Sequence, residues 1–296
     1  MTIKPLTVPA RRAETVAASP PLPLVALHSS ASTGGQWKAL AARLDGARPV
    51  FTPDLPGYGR AAFRDGKAPG EPSLAADSAA VLRGVGSEVP AFHLVGHSYG
   101  GAVAMKIALD HPRRVASLTL IEPVLFHLLP LAGGREDKRL YRGILGIRDR
   151  LRGAVAAGWP AHGMAAFVDF WNGAGSWDGI DCEQRRHLAA QAPAVLRNFA
   201  ALFAECWPAA AVARLEIPLL TIAGGCSPTV ARQVSDRILD AATDITAARV
   251  FGAGHMAPLT HAGTVNALIV RHLHLAEAAE GPARQGVSFR HRVAAA

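Results

Sequence analysis

The sequence predicts an α/β fold, a doubly wound and mostly parallel sheet carrying a helical cap insertion. Three observations lead there. The chain of 296 residues is 50% hydrophobic and 18% charged, which suits one large core and excludes a disordered chain. Short apolar runs alternate with helical stretches, as parallel strands joined by helices must. The alternation stops between Pro123 and Arg214, and that stretch holds Trp159, Trp171, Trp177 and Trp207, four of the five tryptophans.

The elements follow in order. Residues 1–20 contain Arg11, Arg12 and several prolines but no apolar segment of a secretory leader, and are expected to form a poorly ordered arm. Leu24 to Leu27 is a short apolar run, read as a buried strand, that ends in His28-Ser29-Ser30. A helix is expected over 35–45. Val50-Phe51 is a second strand, and the Pro/Gly loop Thr52-Pro53-Asp54-Leu55-Pro56-Gly57-Tyr58-Gly59 follows it. Ser73 can cap a helix over 74–86. Phe92 to Val95 is a third strand. Tyr99 to Asp110 is a helix stopped near His111-Pro112, and Val115 to Ile121 is a fourth strand. Strands at Ile217–Ala223 and Ile245–Phe251, with a helix over 228–240 between them, complete the sheet, and a last helix spans 258–277. The expected layout is a core of residues 21–122 and 213–279, a helical cap over 123–212, and a basic tail over 280–296 with Arg284, Arg290 and Arg292.

Composition narrows the function. The net charge is +8 and the isoelectric point about 10.0, yet the 31 basic residues are scattered with no run longer than two. A nucleic-acid footprint is a patch or stripe, so no nucleic-acid partner is expected. No apolar run approaches the ~20 residues of a membrane span. Cys182, Cys206 and Cys226 are odd in number and far apart, which argues against a disulfide framework or a zinc site and for a reducing, cytoplasmic setting. The expected partner is a small-molecule substrate, without metal or organic cofactor; a homo-oligomer is left open.

The chemistry centres on Gly96-His97-Ser98-Tyr99-Gly100. G-x-S-x-G alone is a weak pattern in a glycine-rich chain. Here it follows a strand and opens a helix, the setting in which a tight turn lifts a serine hydroxyl above the sheet. The N–H groups at the start of the helix are unpaired and carry partial positive charge, so the N–H of Tyr99 is placed to stabilise an oxyanion. The alternative is a serine that merely caps its helix.

With these motifs the chain resembles the α/β-hydrolase fold family over residues 22–278. The resemblance rests on Leu27-His28-Ser29-Ser30, Pro53 to Gly59, the Ser98 elbow and Gly252-Ala253-Gly254-His255. It implies that the N–H of Ser30 is the second oxyanion donor, with Ser29 standing where the family usually has glycine. Ser98 needs a base to take its proton. His255, in a glycine-rich loop after the last strand, fits the family's order of serine, acid, histidine.

The acid departs from the common pattern. In most of the family it follows the strand that here ends at Ala223, but this chain reads Gly224-Gly225-Cys226-Ser227-Pro228. Asp236 and Asp240 lie well along the next helix, and Asp244 precedes the last strand. Glu122, directly after the fourth strand, remains, and is proposed to hold the His255 ring; some haloalkane dehalogenases are similar in placing Glu there. A carboxylate that only caps its own loop or pairs with the cap is the alternative. Asp54 is read as holding its own turn, His28 as pinning its loop, His97 as a tolerated elbow residue and Cys226 as packing. His261, His272 and His274 are read as surface residues, and His127 and His162 as pocket candidates without a role.

The reaction class implied is acyl transfer to water through an acyl-enzyme. Serine at the elbow argues against dehalogenase and epoxide hydrolase chemistry, which needs a carboxylate nucleophile. The aromatic insertion suggests small to medium apolar esters under a lid. Thioesters, lactones, peracids and vinylogous C–C bonds suit the same residues, and a ligand-binding protein on this fold is the non-catalytic alternative.

Overall fold

The computed structural model describes residues 20–63, 70–279 and 290–292. The arm over residues 1–19 and the remainder of the basic tail lie outside the described residues. Strands β1 (Leu24–Leu27), β2 (Val50–Phe51), β3 (Phe92–His97), β4 (Val115–Ile121), β5 (Leu219–Gly224), β6 (Ile245–Val250) and β7 (Arg290–Arg292) form one sheet. Their order is β2-β1-β3-β4-β5-β6-β7, and each neighbouring pair is parallel.

Helices α1 (Lys38–Arg43), α2 (Leu74–Val85) and α3 (Tyr99–Asp110) join the first four strands. Between β4 and β5 stand α4 (Leu128–Ala132), α5 (Arg135–Ala156), α6 (Pro160–Asn172), α7 (Cys182–Ala190) and α8 (Ala192–Phe203). Helix α9 (Thr229–Ala241) joins β5 to β6, and α10 (Ala257–Thr260) and α11 (Ala262–Ala279) follow β6. The single last helix expected from sequence is therefore two, broken at His261, and the helix expected at 35–45 opens with a 3-10 turn whose N-cap is Thr33.

β7 corrects the reading of 280–296 as tail throughout. Arg290 pairs with Ile245 and Arg292 with Ala247. An edge strand is paired on one side only, so three residues suffice and no apolar run announces it.

Strand side chains alternate between two cores, as a sheet covered on both faces requires. Val25, Leu27, Leu94, Leu118 and Leu120 join the core that holds α2, α3 and α9. Leu24, Ala26, Val95, Ile121 and Ile222 join the core that holds α1 and α11. The chain leaves β1 for β2 on one side and returns for β3 on the other. The loops after β1 and β3 thus diverge over a crevice at the C-terminal edge of the sheet, where open α/β sheets bind ligands.

The inserted helices sit above this edge. In α5 the buried Leu140, Ile144, Ile147 and Leu151 fall on one helical stripe. The start of α5 is tied to α9: Asp137 is buried and accepts from Arg237 Nη2 at 2.9 Å and from Gln233 Nε2 at 3.0 Å. Among the described residues no helix is long and apolar enough to cross a membrane.

Candidate active site

The turn from β3 to α3 sets Ser98 at φ 54° and ψ −116°, a strained conformation for a residue with a side chain. Such backbone strain costs about 1–3 kcal/mol and gathers at functional sites. The flanking glycines follow from close approach. A Cβ on Gly96 would overlap the Gly100 carbonyl, and one on Gly100 would overlap the carbonyls of Leu27 and His28. The Ser98 side chain makes no capping hydrogen bond to α3, so the capping alternative drops out.

His255, in the loop after β6, lies with Nε2 3.0 Å from Ser98 Oγ and Nδ1 2.6 Å from Glu122 Oε2. Glu122 follows β4 at φ 43° and is fully buried. Its other oxygen accepts the Gly224 N–H at 2.6 Å, so the same carboxylate also holds the loop after β5. Burial pushes its pKa up. The hydrogen bond and charge of His255, the Ser227 hydroxyl and the Gly224 amide outweigh burial and hold it below the usual carboxylate range. An ionised carboxylate at Nδ1 fixes the tautomer that leaves Nε2 free to accept the Ser98 proton.

Two neighbours of His255 gave no clear signal in the sequence. Trp171 of α6 stacks on the imidazole, with ring centroids 4.1 Å apart and planes 25° apart. His97, read as a bland elbow residue, is fully buried and holds the loop after β6, its Nε2 lying 2.8 Å from the His255 carbonyl. Burial, followed by the nearby His255, lowers the His97 pKa to about 3, so it is neutral and donates through Nε2.

Ser30 and Tyr99 flank Ser98 from the loop after β1 and from the start of α3. Among the described residues, no turn, cap or side-chain acceptor engages either N–H. The Ser30 hydroxyl donates to Asn198 Oδ1 of α8 at 2.8 Å, and the Tyr58 hydroxyl donates to the same oxygen. The Tyr99 hydroxyl donates to buried Asp77 Oδ2 at 2.6 Å. His28 Nε2 accepts the Leu55 N–H at 2.8 Å, its Nδ1 donates to the Ser29 carbonyl at 2.7 Å, and burial lowers its pKa to about 4. It pins the loop after β2 to the loop after β1. Asp54 accepts the N–H groups of Gly34 and Arg60 at 2.7 and 2.8 Å, turning its own loop.

A cavity of about 20 Å³ lies over Ser98, walled by Ser30, Asn198 and the apolar Phe126, Phe167, Trp171 and Phe199. That volume holds about one water. The other histidines stay apart from it. His162 lies exposed on the insertion, and buried His127 packs its ring 4.3 Å from that of Trp207. Two sequence readings are corrected. Cys226 is exposed in the turn after β5 instead of packed. His272 is buried, because it falls on the α11 stripe of Val265, Ile269 and Leu273. Among the described residues no group of three or more His, Cys, Asp or Glu is gathered to hold a metal ion.

A parallel α/β sheet with an elbow serine at its switch point defines a hydrolase-type scaffold. The model of the alpha/beta hydrolase family matches residues 24–268, and the chain belongs to that family. It is 33% identical over 172 residues to lipase LipV of Mycobacterium tuberculosis, a match covering 58% of this chain and 59% of that one. It is 36% identical over 98 residues to the pimeloyl-[acyl-carrier protein] methyl ester esterase of Aeromonas salmonicida, covering 33% of this chain and 36% of that one. The matched stretches thus span less than two thirds of either relative. Among solved structures, a hydrolase from Pseudomonas aeruginosa PA01 superimposes with a TM-score of 0.65 at 23% identity, over 86% of this chain and 91% of that one, a likeness of fold.

Proposed function

We propose that this hydrolase cleaves small to medium apolar carboxylic esters through Ser98, His255 and Glu122. The observation that carries the reading is the unbroken line from Ser98 Oγ to His255 Nε2 and from His255 Nδ1 to Glu122. A ligand-binding protein has no need of that line, and each buried polar group in it is costly unless paired.

In the proposed mechanism Ser98 Oγ attacks the ester carbonyl carbon as its proton passes to His255 Nε2. The Glu122 carboxylate stabilises the imidazolium. The carbonyl oxygen becomes an oxyanion held by the N–H groups of Ser30 and Tyr99; losing one such donor typically costs ~10²–10³ in rate. The tetrahedral intermediate collapses, the C–O bond breaks, and His255 gives its proton to the leaving alcohol. Water then attacks the acyl-enzyme with His255 as base, releasing the carboxylic acid and restoring Ser98. Stacking of Trp171 on His255 covers one face of the imidazole and holds the plane of the ring between Ser98 and Glu122.

The apolar walls over Ser98 support an apolar acyl group. Two relatives named as a lipase and a methyl ester esterase support esters as the bond class. A cavity that holds about one water requires the inserted helices to shift as a lid before substrate enters. A panel of p-nitrophenyl esters with acyl chains of 2 to about 12 carbons, beside matched thioesters and lactones, tests this. The expected result is a burst of nitrophenol followed by turnover, with kcat/KM highest at short to medium chains. Turnover confined to thioesters or lactones would overturn the ester assignment.

A further inference from the structure

Asn198 stands apart from the other residues over Ser98. It is a polar side chain, 2% exposed, where every other residue that the insertion adds to the wall is apolar. It belongs to α8, an inserted helix, yet its contacts lie in the core of the fold. Its Oδ1 takes the hydroxyl protons of Ser30 and Tyr58 together. Its Nδ2 is buried with no acceptor in hydrogen-bond geometry among the described residues, and the group beside it is the Tyr99 hydroxyl. Tyr99 is anchored in turn to Asp77.

Ser30 and Tyr99 are the two residues whose backbone N–H groups flank Ser98. The Ser30 hydroxyl bonds to Asn198 of the insertion, and the Tyr99 hydroxyl, bonded to Asp77, lies beside the same side chain. Ala31, directly after Ser30, has φ 55°, a conformation that residues other than glycine rarely hold without a constraint. The loop after β1 is therefore a strained segment held from above, and the hydrogen bond from Ser30 to Asn198 is its tie to the insertion.

We infer that Asn198 is a positioning residue for the Ser30 oxyanion donor, so that seating of the insertion and alignment of the Ser30 N–H are one event. This rests on the serine-hydrolase reading. With α8 displaced the Ser30 hydroxyl loses its acceptor, the loop relaxes, and the N–H turns from the reacting oxygen. Substrate that lets the insertion close over it thereby completes its own oxyanion hole, and water in the open site meets an incomplete one. A donor helps catalysis only when aimed at the oxyanion, so a small rotation removes most of its effect.

Steady-state hydrolysis of the best p-nitrophenyl ester by Asn198→Ala, Ser30→Ala, Ser30→Thr and the Asn198→Ala/Ser30→Ala double variant tests the inference. Each alanine variant is expected to lose about 10- to 100-fold in kcat with KM within about threefold, below the full loss of a donor. The double variant is expected to lose no more than the worse single one, because both changes cut one tie. Ser30→Thr, which keeps the hydroxyl, is expected to recover most of kcat. Affinity for a trifluoromethyl ketone, whose adduct carries the oxyanion, is expected to fall with kcat, while the pH profile of kcat/KM keeps the wild-type shape. Losses confined to KM, additive losses, or unchanged affinity for the ketone would overturn the role of Asn198. Should Asn198→Ala fail to fold, Ser30→Ala and Ser30→Thr carry the test alone. A wild type that turns over no ester and leaves Ser98 unlabelled by a serine-directed phosphonate is a failure of the hydrolase reading itself.

Discussion

Glu122 carries two donors on two oxygens, His255 Nδ1–H and the Gly224 N–H. Glutamine has one acceptor oxygen and one donor nitrogen, so Glu122→Gln must set its NH2 against one of these N–H groups or force the other imidazole tautomer. The expected outcome in steady-state ester hydrolysis is a kcat loss of up to about 10⁴ with KM nearly unchanged, the loss that follows when a triad aspartate is replaced by asparagine. Unchanged kcat in a folded variant would make Glu122 a loop carboxylate only. Three residues in the described chain hold positive φ without being glycine: Ala31, Ser98 and Glu122. Each directly adjoins or belongs to the proposed machinery, as strain kept for function should. Glu122 was legible by elimination within the family's framework. Trp171 and Asn198 were not, because stacking on His255 and bonding to Ser30 join residues 84 and 168 positions apart.

At the scale of elements, the strands were legible because parallel strands covered on both faces must be continuous apolar runs, and Leu24 to Leu27 and Phe92 to Val95 are such runs. The helix from Tyr99 to Asp110 was legible from the elbow before it and the His111-Pro112 stop after it. β7 was not legible, since Arg290–Arg292 pairs only at an edge and needs no apolar pattern. His272 was legible in principle. It stands three residues after Ile269 and seven after Val265, on the buried stripe of α11, but a lone histidine in a polar-looking helix end reads as surface. The insertion was recognised by the break in alternation; its five helices were not delimited, although Gly133-Gly134, Gly158-Trp159-Pro160 and Asn172-Gly173 mark three of their boundaries.

At the scale of the whole molecule, several buried histidines tie stability to pH. Burial lowers the pKa of His28, His127 and His272 to about 4 and that of His97 to about 3. In the unfolded chain each titrates near about 6.5. Between these values the unfolded state binds more protons, so the stabilisation is complete above the unfolded pKa and is lost as pH falls toward the folded values. At pH 5 each such histidine costs on the order of 1–2 kcal/mol, against a total stability of roughly 5–15 kcal/mol. Thermal unfolding followed by circular dichroism is expected to show the midpoint falling by at least about 10 °C between pH 7 and pH 5. A flat midpoint over that interval would contradict the burial of neutral imidazoles.

Activation of Ser98 as a nucleophile can be tested without knowing the substrate. Wild type, Ser98→Ala and Glu122→Gln are each treated with a fluorophosphonate, and the adduct is followed by intact mass. The predicted result is one adduct per wild-type chain, none on Ser98→Ala, and adduct formation slowed by at least about tenfold on Glu122→Gln, since in the proposed mechanism the carboxylate supports the base that activates the serine. A folded wild type that forms no adduct, or an adduct that persists on Ser98→Ala, would contradict the account.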